Sequence, residues 1–416
     1  MKFKLTSLEK KWVLYDVGNS AFTLLVSTIF PIYFNSLAES AGISDVDYLA
    51  YWGYATSVCT LIVAVLGPTL GAVADTKNFK KIIFTAAMSV GVFGCIVLGF
   101  LSSWIWFLGV FVLAKTGYSA SLIFYDAMLT DVTEPERMDS VSSHGYAWGY
   151  IGSCIPFLAC LGLYMGSGVL GLGTQTALLI GFIITAVWWF CSSVPLLLSY
   201  RQKYYSENNG HIIRDSFKRL GRTFLELAKE KHILIFLLAF FFYIDGVYTV
   251  IDMATAYGQA LGLDTNALLL ALLVTQIVAF PCVLIFSRIV KRIRPETIIT
   301  VCIAAYFFIA VYAYWLDSEF DFWLLAVMVG MFQGTIQALS RSYFAKIIPA
   351  EKSGEFFGIY DICGKGASVI GTALVSFLSQ LTGSINIGVS ALSVMFLIGL
   401  ILFRFSAKLN IDSKKV

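Results

Sequence analysis

The sequence is poor in charged residues, which make up 13% of its 416 positions, about half the share found in soluble domains. It contains only eight prolines and three histidines, and no two of its eight cysteines form a Cys-x-x-Cys pair. These shortages argue against a disulfide framework and against a metal cluster. The common metalloprotease, serine-hydrolase and phosphate-loop motifs are also missing. We therefore expect no enzyme activity, no metal and no cofactor, and we expect no nucleic-acid partner.

Long apolar segments dominate instead, since 58% of the residues are hydrophobic and the mean hydropathy is +0.80. Many runs exceed about 18 residues, enough to cross the hydrocarbon core of a bilayer. The first run, from Trp12 to about Leu37, is too long for the core of a signal peptide, so we interpret it as an uncleaved helix. The pattern predicts an all-α polytopic membrane protein with twelve transmembrane helices. They lie near residues 12–37, 48–74, 81–101, 104–129, 144–165, 175–199, 233–259, 266–287, 297–316, 321–344, 354–380 and 384–406.

The connections between these helices alternate in charge. Both termini and every even-numbered connection carry Lys or Arg, whereas the odd-numbered connections carry only acids such as Glu39, Asp45 and Asp264. Positively charged connections stay in the cytoplasm. The alternation therefore predicts a multi-pass protein of the cytoplasmic (inner) membrane with both termini in the cytoplasm. We expect a monomer whose partners are a small-molecule solute, membrane lipids and protons.

The long sixth connection, residues 200–232, divides the chain into two predicted six-helix bundles, 1–199 and 233–416. Its centre repeats apolar residues at alternating four- and three-residue spacing among basic ones, which indicates an amphipathic helix on the membrane surface. A membrane tether and a regulatory site are the two interpretations of that helix. Its apolar positions are Ile213, Phe217, Leu220, Phe224 and Leu227.

The two predicted bundles are weakly similar to each other. A shift of 215 residues places Gly149 on Gly364 and Asp126 on Arg341. A parallel repeat of six helices is typical of transporters that bind their solute between the halves, near the middle of the membrane.

The connection between the second and third helices carries the sequence GAVADTKNFKK, from Gly71 to Lys81. Asp75 follows the helix end, and Gly67 and Gly71 form a small-residue face on which a neighbouring helix can pack closely. This connection resembles the cytoplasmic signature of the major facilitator superfamily, although Thr76 replaces the usual basic residue. The resemblance implies that Asp75 contacts the start of helix 11 and acts in gating. An ordinary solvated carboxylate is the alternative.

Several charged and polar residues fall inside predicted membrane spans, where a charge costs about 2.5–3.5 kcal/mol and needs a partner, water or a ligand. Asp245 and Asp252 are seven residues apart and are predicted to share a helix face with Tyr248 and Thr249. We expect these residues to line an aqueous cavity, although Asp361–Lys365 and Asp126–Arg341 could instead form structural ion pairs. The predicted solute-binding residues are Lys115, Asp245, Lys365, Gln333, Gln337 and Tyr248. The predicted coupling or gating residues are Asp16, Asp75, Asp126, Arg341 and Asp361.

Four stretches resemble the "unknown major facilitator" family, the bacterial relatives of the fungal vacuolar, autophagy-related amino-acid effluxers. They are Tyr15–Phe22, Arg137–Ser153, Tyr243–Gly258 and Gly330–Gly371. The sequence departs from the family pattern at Asp126, where Asn is usual. The resemblance implies secondary transport of a small solute such as an amino acid.

We therefore predict a twelve-helix transporter of the major facilitator fold, built from two six-helix repeats and working by alternating access. Asp16, Asp126 and Asp361 are the candidates for proton coupling, because protonation removes the cost of carrying a carboxylate through an occluded state. One alternative is an integral membrane enzyme that acts on lipids, for which His144 is the candidate base. The other alternative is a membrane sensor that transports nothing.

Overall fold

The computed structural model describes residues 3–207, 220–223, 225, 227, 229–260, 265–316, 318–365 and 368–413, and long helices account for most of these residues. The long helices run antiparallel to their neighbours along the chain, as short connections require. Their bounds are α1 Ser7–Ser40, α2 Asp45–Ala74, α3 Phe79–Leu98, α4 Trp104–Val132, α5 Pro135–Met165, α6 Thr174–Ser199, α7 Lys231–Ala260, α8 Thr265–Ile289, α9 Pro295–Trp315, α10 Glu319–Ile347, α11 Ser353–Lys365, α12 Ser368–Thr382 and α13 Ile385–Ile411.

Eleven of the described helices are long and apolar enough to cross a membrane. The predicted eleventh span, 354–380, coincides with α11 and α12, which are described up to residue 365 and from residue 368. The helix count is thus consistent with the predicted twelve spans.

Polar residues at the helix starts fix where several helices begin. The Thr6 hydroxyl accepts the backbone N–H of Glu9 at 3.2 Å, and the Glu9 carboxylate accepts the backbone N–H of Thr6 at 2.6 Å. This reciprocal capping satisfies donors that the first turn of α1 leaves free. Helix α10 begins in a similar way, where the Ser318 hydroxyl accepts the backbone N–H of Asp321.

Helix α5 begins at Pro135, nine residues before the predicted start at 144, so His144 lies inside the helix rather than at its start. Hydropathy missed this first part because it is polar, with Asp139 and Ser142 among its residues. Both of these side chains are nevertheless buried, because they contact another helix.

The helices before residue 200 and those after residue 230 form two sets that meet along α2–α11, α5–α8 and α5–α10. Within the sets, α1 packs on α5 and α6, and α7 packs on α13. The predicted amphipathic helix of the connection 200–232 lies mostly outside the described residues. Of its apolar positions, Leu220 and Leu227 are described, and both are buried.

Candidate functional site

A cavity of about 380 Å³ lies between the two sets of helices. Helices α1, α2, α4 and α5 line it from the first set, and α7, α8, α10 and α11 line it from the second. Pockets for small molecules commonly measure about 300–1,000 Å³, so the space is sufficient for a small solute.

Most of the residues that the sequence predicted for solute binding and coupling lie on this cavity. Eight of the eleven line it: Lys115, Tyr248, Gln333, Gln337, Asp16, Asp126, Arg341 and Asp361. The Lys115 ammonium also lies 5.7 Å from the centre of the Phe111 ring. The side chain of Lys365 falls outside the part of the chain that the structure describes.

Asp245 is the exception among the predicted binding residues, because it does not line the cavity. Its carboxylate accepts the backbone N–H of Gly371, in the first turn of α12, at 3.1 Å and the Thr249 hydroxyl at 3.3 Å. The side chain is fully buried. On α7, Tyr248 faces the cavity, whereas Asp245 and Thr249 face α12. Of the predicted common face, Asp245 and Thr249 lie together, whereas Tyr248 faces the cavity, since residues three apart differ by about 60° around a helix. The side chain of Asp252 lies outside the described residues.

Arg341 joins the two sets at one end of the cavity. Its guanidinium donates to the Asp126 carboxylate at 2.9 Å and lies 3.4 Å from the Asp16 carboxylate. It also donates to the side-chain and backbone oxygens of Ser142 at 2.9 and 3.1 Å. The ion pair between Asp126 and Arg341, which the sequence left as an alternative, is thus present, and Asp16 adds a second carboxylate.

Aromatic rings cover the same guanidinium. The ring of Trp12 lies 4.7 Å from the guanidinium carbon and that of Tyr146 lies 4.4 Å away, both within cation–π range. The Arg341 side chain is only 2% exposed. The surrounding rings exclude water, so the attraction between this cation and its carboxylates is screened little.

Further contacts between the sets lie around residues 74–80, 131–139 and 342–355, and we call this end of the bundle the basic end. There Asp139 of α5 accepts the Ser342 hydroxyl at 2.7 Å and pairs with Lys346 at 2.5 Å, both from α10. The Ser142 hydroxyl donates to the backbone oxygen of Ala338 at 2.7 Å. These contacts and those of Arg341 close one end of the cavity.

Asp75 forms a contact between the sets that we call the latch. Its carboxylate accepts the backbone N–H groups of Gly354 and Glu355, in the first turn of α11, at 2.8 and 2.9 Å. The free N–H groups and the positive end of the helix dipole favour a carboxylate there. The Lys80 ammonium lies 3.7 Å from the same carboxylate.

The latch depends on a close approach of α2 and α11 at glycines. A Cβ atom placed on Gly71 would lie 2.3 Å from the backbone oxygen of Gly354. A Cβ atom placed on Gly358 would lie 2.6 Å from the backbone of Gly67. The absence of side chains at these positions allows the helix backbones to touch.

The latch is expected to respond to pH. Burial raises the pKa of Asp75 to about 7, although Lys80 and the two backbone N–H groups act in the opposite direction. In a separated, solvated latch the group would have its ordinary pKa of about 4. The closed latch therefore binds the proton more tightly, and it gains stability as the pH falls from about 7 towards 4. This gain is lost as the pH rises through 7. Because a single group titrates, the closed-to-open ratio can change by at most about tenfold per pH unit.

Distances between spin labels on exposed Lys77 and Glu351, measured at pH 6 and pH 8, report this ratio. The gain in closure from pH 8 to pH 6 should be larger in the parent than in Asp75→Asn, because only the parent keeps the titrating carboxyl of the latch. An Asp75→Asn variant with the parent's pH response would contradict this origin.

Sequence reasoning missed several residues of the basic end. Asp139 and Lys346 are separated by more than 200 positions, and neither lies in a strongly apolar run. Lys80 and Asp131, both fully buried, form an ion pair at 3.2 Å. A signal did exist for Asp139, because it lies in Arg137–Ser153, a stretch already marked by its family resemblance.

The described residues contain no group of three His, Cys, Asp or Glu side chains that could hold a metal ion. His144 has its Nδ1 atom 2.7 Å from the backbone oxygen of Ser140, within its own helix.

Known proteins resemble this chain over nearly all of its length. A family model described as "Vacuole effluxer Atg22 like" matches residues 7–410. The uncharacterized MFS-type transporter YxiO of Bacillus subtilis (strain 168) is 41% identical over 410 residues, which cover 97% of this chain and 96% of that protein. Autophagy-related protein 22 of Coccidioides immitis (strain RS) is 23% identical over 435 residues, covering 85% of this chain and 72% of that protein.

Among solved structures, the major facilitator superfamily transporter FucP in the outward conformation aligns with a TM-score of 0.72 and 14% identity. The alignment covers 96% of this chain and 97% of that one. The likeness confirms the predicted all-α major facilitator fold. YxiO and FucP are named as transporters, which confirms the predicted class of membrane transporter rather than enzyme.

Proposed function

The chain belongs to the family of Atg22-like vacuole effluxers, and from this premise we propose that it is a secondary transporter that moves a small solute by alternating access. The observation that carries the proposal is the cavity between the two sets of helices, closed at the basic end by Arg341 and the latch. Contacts of this kind join two surfaces through side chains and helix ends, so they can separate and form again. The bundles 1–199 and 233–416 are the two bodies that rock, and 200–232 connects them.

The orientation of the gate follows from the charge of the connections. Lys and Arg are concentrated in the termini and in the even-numbered connections, so the basic end faces the cytoplasm of an inner membrane. In the structure described here the protein is then outward-facing. The FucP structure that aligns with it is also in the outward conformation.

An amino acid is the proposed solute. A zwitterion needs a cation for its carboxylate and an anion or other acceptors for its ammonium group. Lys115 supplies the cation, Asp361 supplies the anion, and Gln333, Gln337 and Tyr248 add donors and acceptors on the same cavity. Asp245 is not part of this proposed set, whereas Lys365 remains in it as a residue at the end of α11.

Proton coupling is proposed to run through Asp16 and Asp126. Both carboxylates contact the one guanidinium of Arg341, so a proton taken up by either of them removes a negative charge from this contact. Protonation would also weaken the hold on Arg341, which would link proton binding to opening of the basic end.

Uptake of single radiolabelled amino acids into proteoliposomes tests both parts of this function. We expect accumulation that increases when a pH gradient is imposed across the membrane. Lys115→Gln should raise the KM for the solute about tenfold or more, because a hydrogen bond to a charged group contributes about 1.5–3 kcal/mol.

Lys408→Gln is the matched control, because Lys408 is exposed on α13 and does not line the cavity. Its KM should equal that of the parent. Uptake that ignores the gradient would contradict proton coupling, and a Lys115→Gln variant with an unchanged KM would contradict the proposed solute site.

A further inference from the structure

The connection between α6 and α7 begins with a segment, residues 200–206, that lies against the basic end, and we call it the strap. Asp131, at the end of α4, holds it. One carboxylate oxygen of Asp131 accepts the backbone N–H groups of Lys203 and Tyr204, both at 2.9 Å. The other oxygen accepts the Tyr200 hydroxyl at 2.5 Å. Asp131 is fully buried, so these hydrogen bonds lie in a medium that strengthens them.

The far end of the strap contacts both sets of helices. The backbone N–H of Ser206 donates to the backbone oxygen of Asp75 at 2.8 Å, beside the latch. The Ser206 hydroxyl donates to the backbone oxygen of Glu351 at 3.1 Å, which belongs to the second set. The side-chain amide of Gln202 donates to the backbone oxygen of Ala74 at 3.2 Å. The strap therefore lies across the boundary that must part when the basic end opens.

Asp131 also connects the strap to the latch through Lys80. The Lys80 ammonium lies 3.2 Å from the Asp131 carboxylate, donates to the Ser353 hydroxyl at 2.8 Å and lies 3.7 Å from the Asp75 carboxylate. Ser353 is the first residue of α11. The strap thus fixes the carboxylate that positions Lys80, and Lys80 contacts both sets at the latch.

A later part of the same connection, at Thr223, also contacts the latch. The Thr223 hydroxyl donates to the Glu355 carboxylate at 2.5 Å, and Thr223 is fully buried. The backbone N–H of Glu355 is one of the two donors to Asp75. Both the strap and Thr223 therefore contact residues at the latch.

We propose that the strap positions the latch and sets how strongly the basic end stays closed, so that the connection between α6 and α7 regulates the gate. This inference rests on the proposed alternating access. A loosened strap leaves Asp131 free to move, and Lys80 then holds Ser353 and Asp75 less firmly. The protein should spend more time with its basic end open and the opposite end of the bundle closed.

Tyr200→Phe tests the proposal, because it removes one hydroxyl from Asp131 and keeps the buried ring. Hydrogen–deuterium exchange of the full-length protein in nanodiscs reports both ends of the molecule. The backbone amides of Gly354 and Glu355 should exchange about fivefold faster, the factor that corresponds to one net hydrogen bond. The turns of α1 around residues 33–40, at the end of the bundle opposite the basic end, should exchange more slowly. Gln202→Ala should change both regions in the same directions.

Tyr204→Phe is the matched control, since Tyr204 reaches Asp131 only through its backbone N–H. The backbone amides of this variant should exchange at the same rates as those of the parent. Equal exchange in Tyr200→Phe and Tyr204→Phe would overturn the proposal. Faster exchange at α11 without protection of α1 would mean that the strap is only a structural support, and would overturn it as well. Exchange needs no solute, so an absence of uptake in proteoliposomes would count against the transport function separately.

Discussion

Replacing Arg341 by Gln is expected to abolish transport and to open the basic end. The substitution removes the guanidinium from the buried Asp16 and from Asp126, whose side chain is 19% exposed. Breaking a buried ion pair by removing one partner costs about 3–5 kcal/mol, which corresponds to a factor of about 150 to 5,000. In this protein the cost falls mainly on the closed conformation, because Arg341 belongs to one set of helices and the carboxylates belong to the other.

Two companion variants separate charge from geometry. A triple variant with Arg341→Gln, Asp16→Asn and Asp126→Asn carries no unpaired charge, so closure should largely recover while the response to a pH gradient should not. Arg341→Lys should be intermediate, because an ammonium cannot match the planar contacts to several acceptors. Spin-label distances at the basic end and amino-acid uptake measure the two effects. An Arg341→Gln variant that closes as well as the parent would show that Arg341 does not hold the basic end closed.

The second large effect is expected at the glycine contact of α2 and α11. Gly71→Ala would place a Cβ atom 2.3 Å from the backbone oxygen of Gly354, which cannot move without displacing its helix. Overpacking of this kind typically costs about 1–3 kcal/mol, so the closed-to-open ratio should fall about five- to more than a hundredfold. Transport should fall as well, because alternating access requires each end of the protein to close in turn. Gly358→Ala should act in the same way.

Gly53→Ala is the control for Gly71→Ala, since both residues lie on α2 and nothing lies within 4 Å of a Cβ atom at Gly53. The two variants change helix propensity equally, so only the contact with α11 differs. Spin-label distances should show an open basic end in Gly71→Ala and a parental one in Gly53→Ala, with similar thermal unfolding. Identical distances in the two variants would show that the close approach does not support closure.

Hydropathy was sufficient to locate the spans, because burial in lipid and burial in protein both select apolar residues. It could not locate the start of α5, since the buried residues there pair with polar groups of α10. A one-dimensional profile records how apolar a segment is and carries no information about its neighbours.

The candidate site was partly predictable for a related reason. A charge inside a span must face something other than lipid, so Lys115, Asp126 and Arg341 were identifiable from the sequence. The partner of each charge depends on the rotation of its helix. Asp245 shows the limit, because it faces α12 while Tyr248, one turn along α7, faces the cavity.

The pairing of Asp126 with Arg341 also restricts how such a molecule can be assembled. The two residues are 215 positions apart, the same interval that relates the two halves of the sequence. Two copies of the first half would bring aspartate against aspartate at this point, and two copies of the second would bring arginine against arginine. Opposite charges at equivalent positions thus favour the joining of unlike halves.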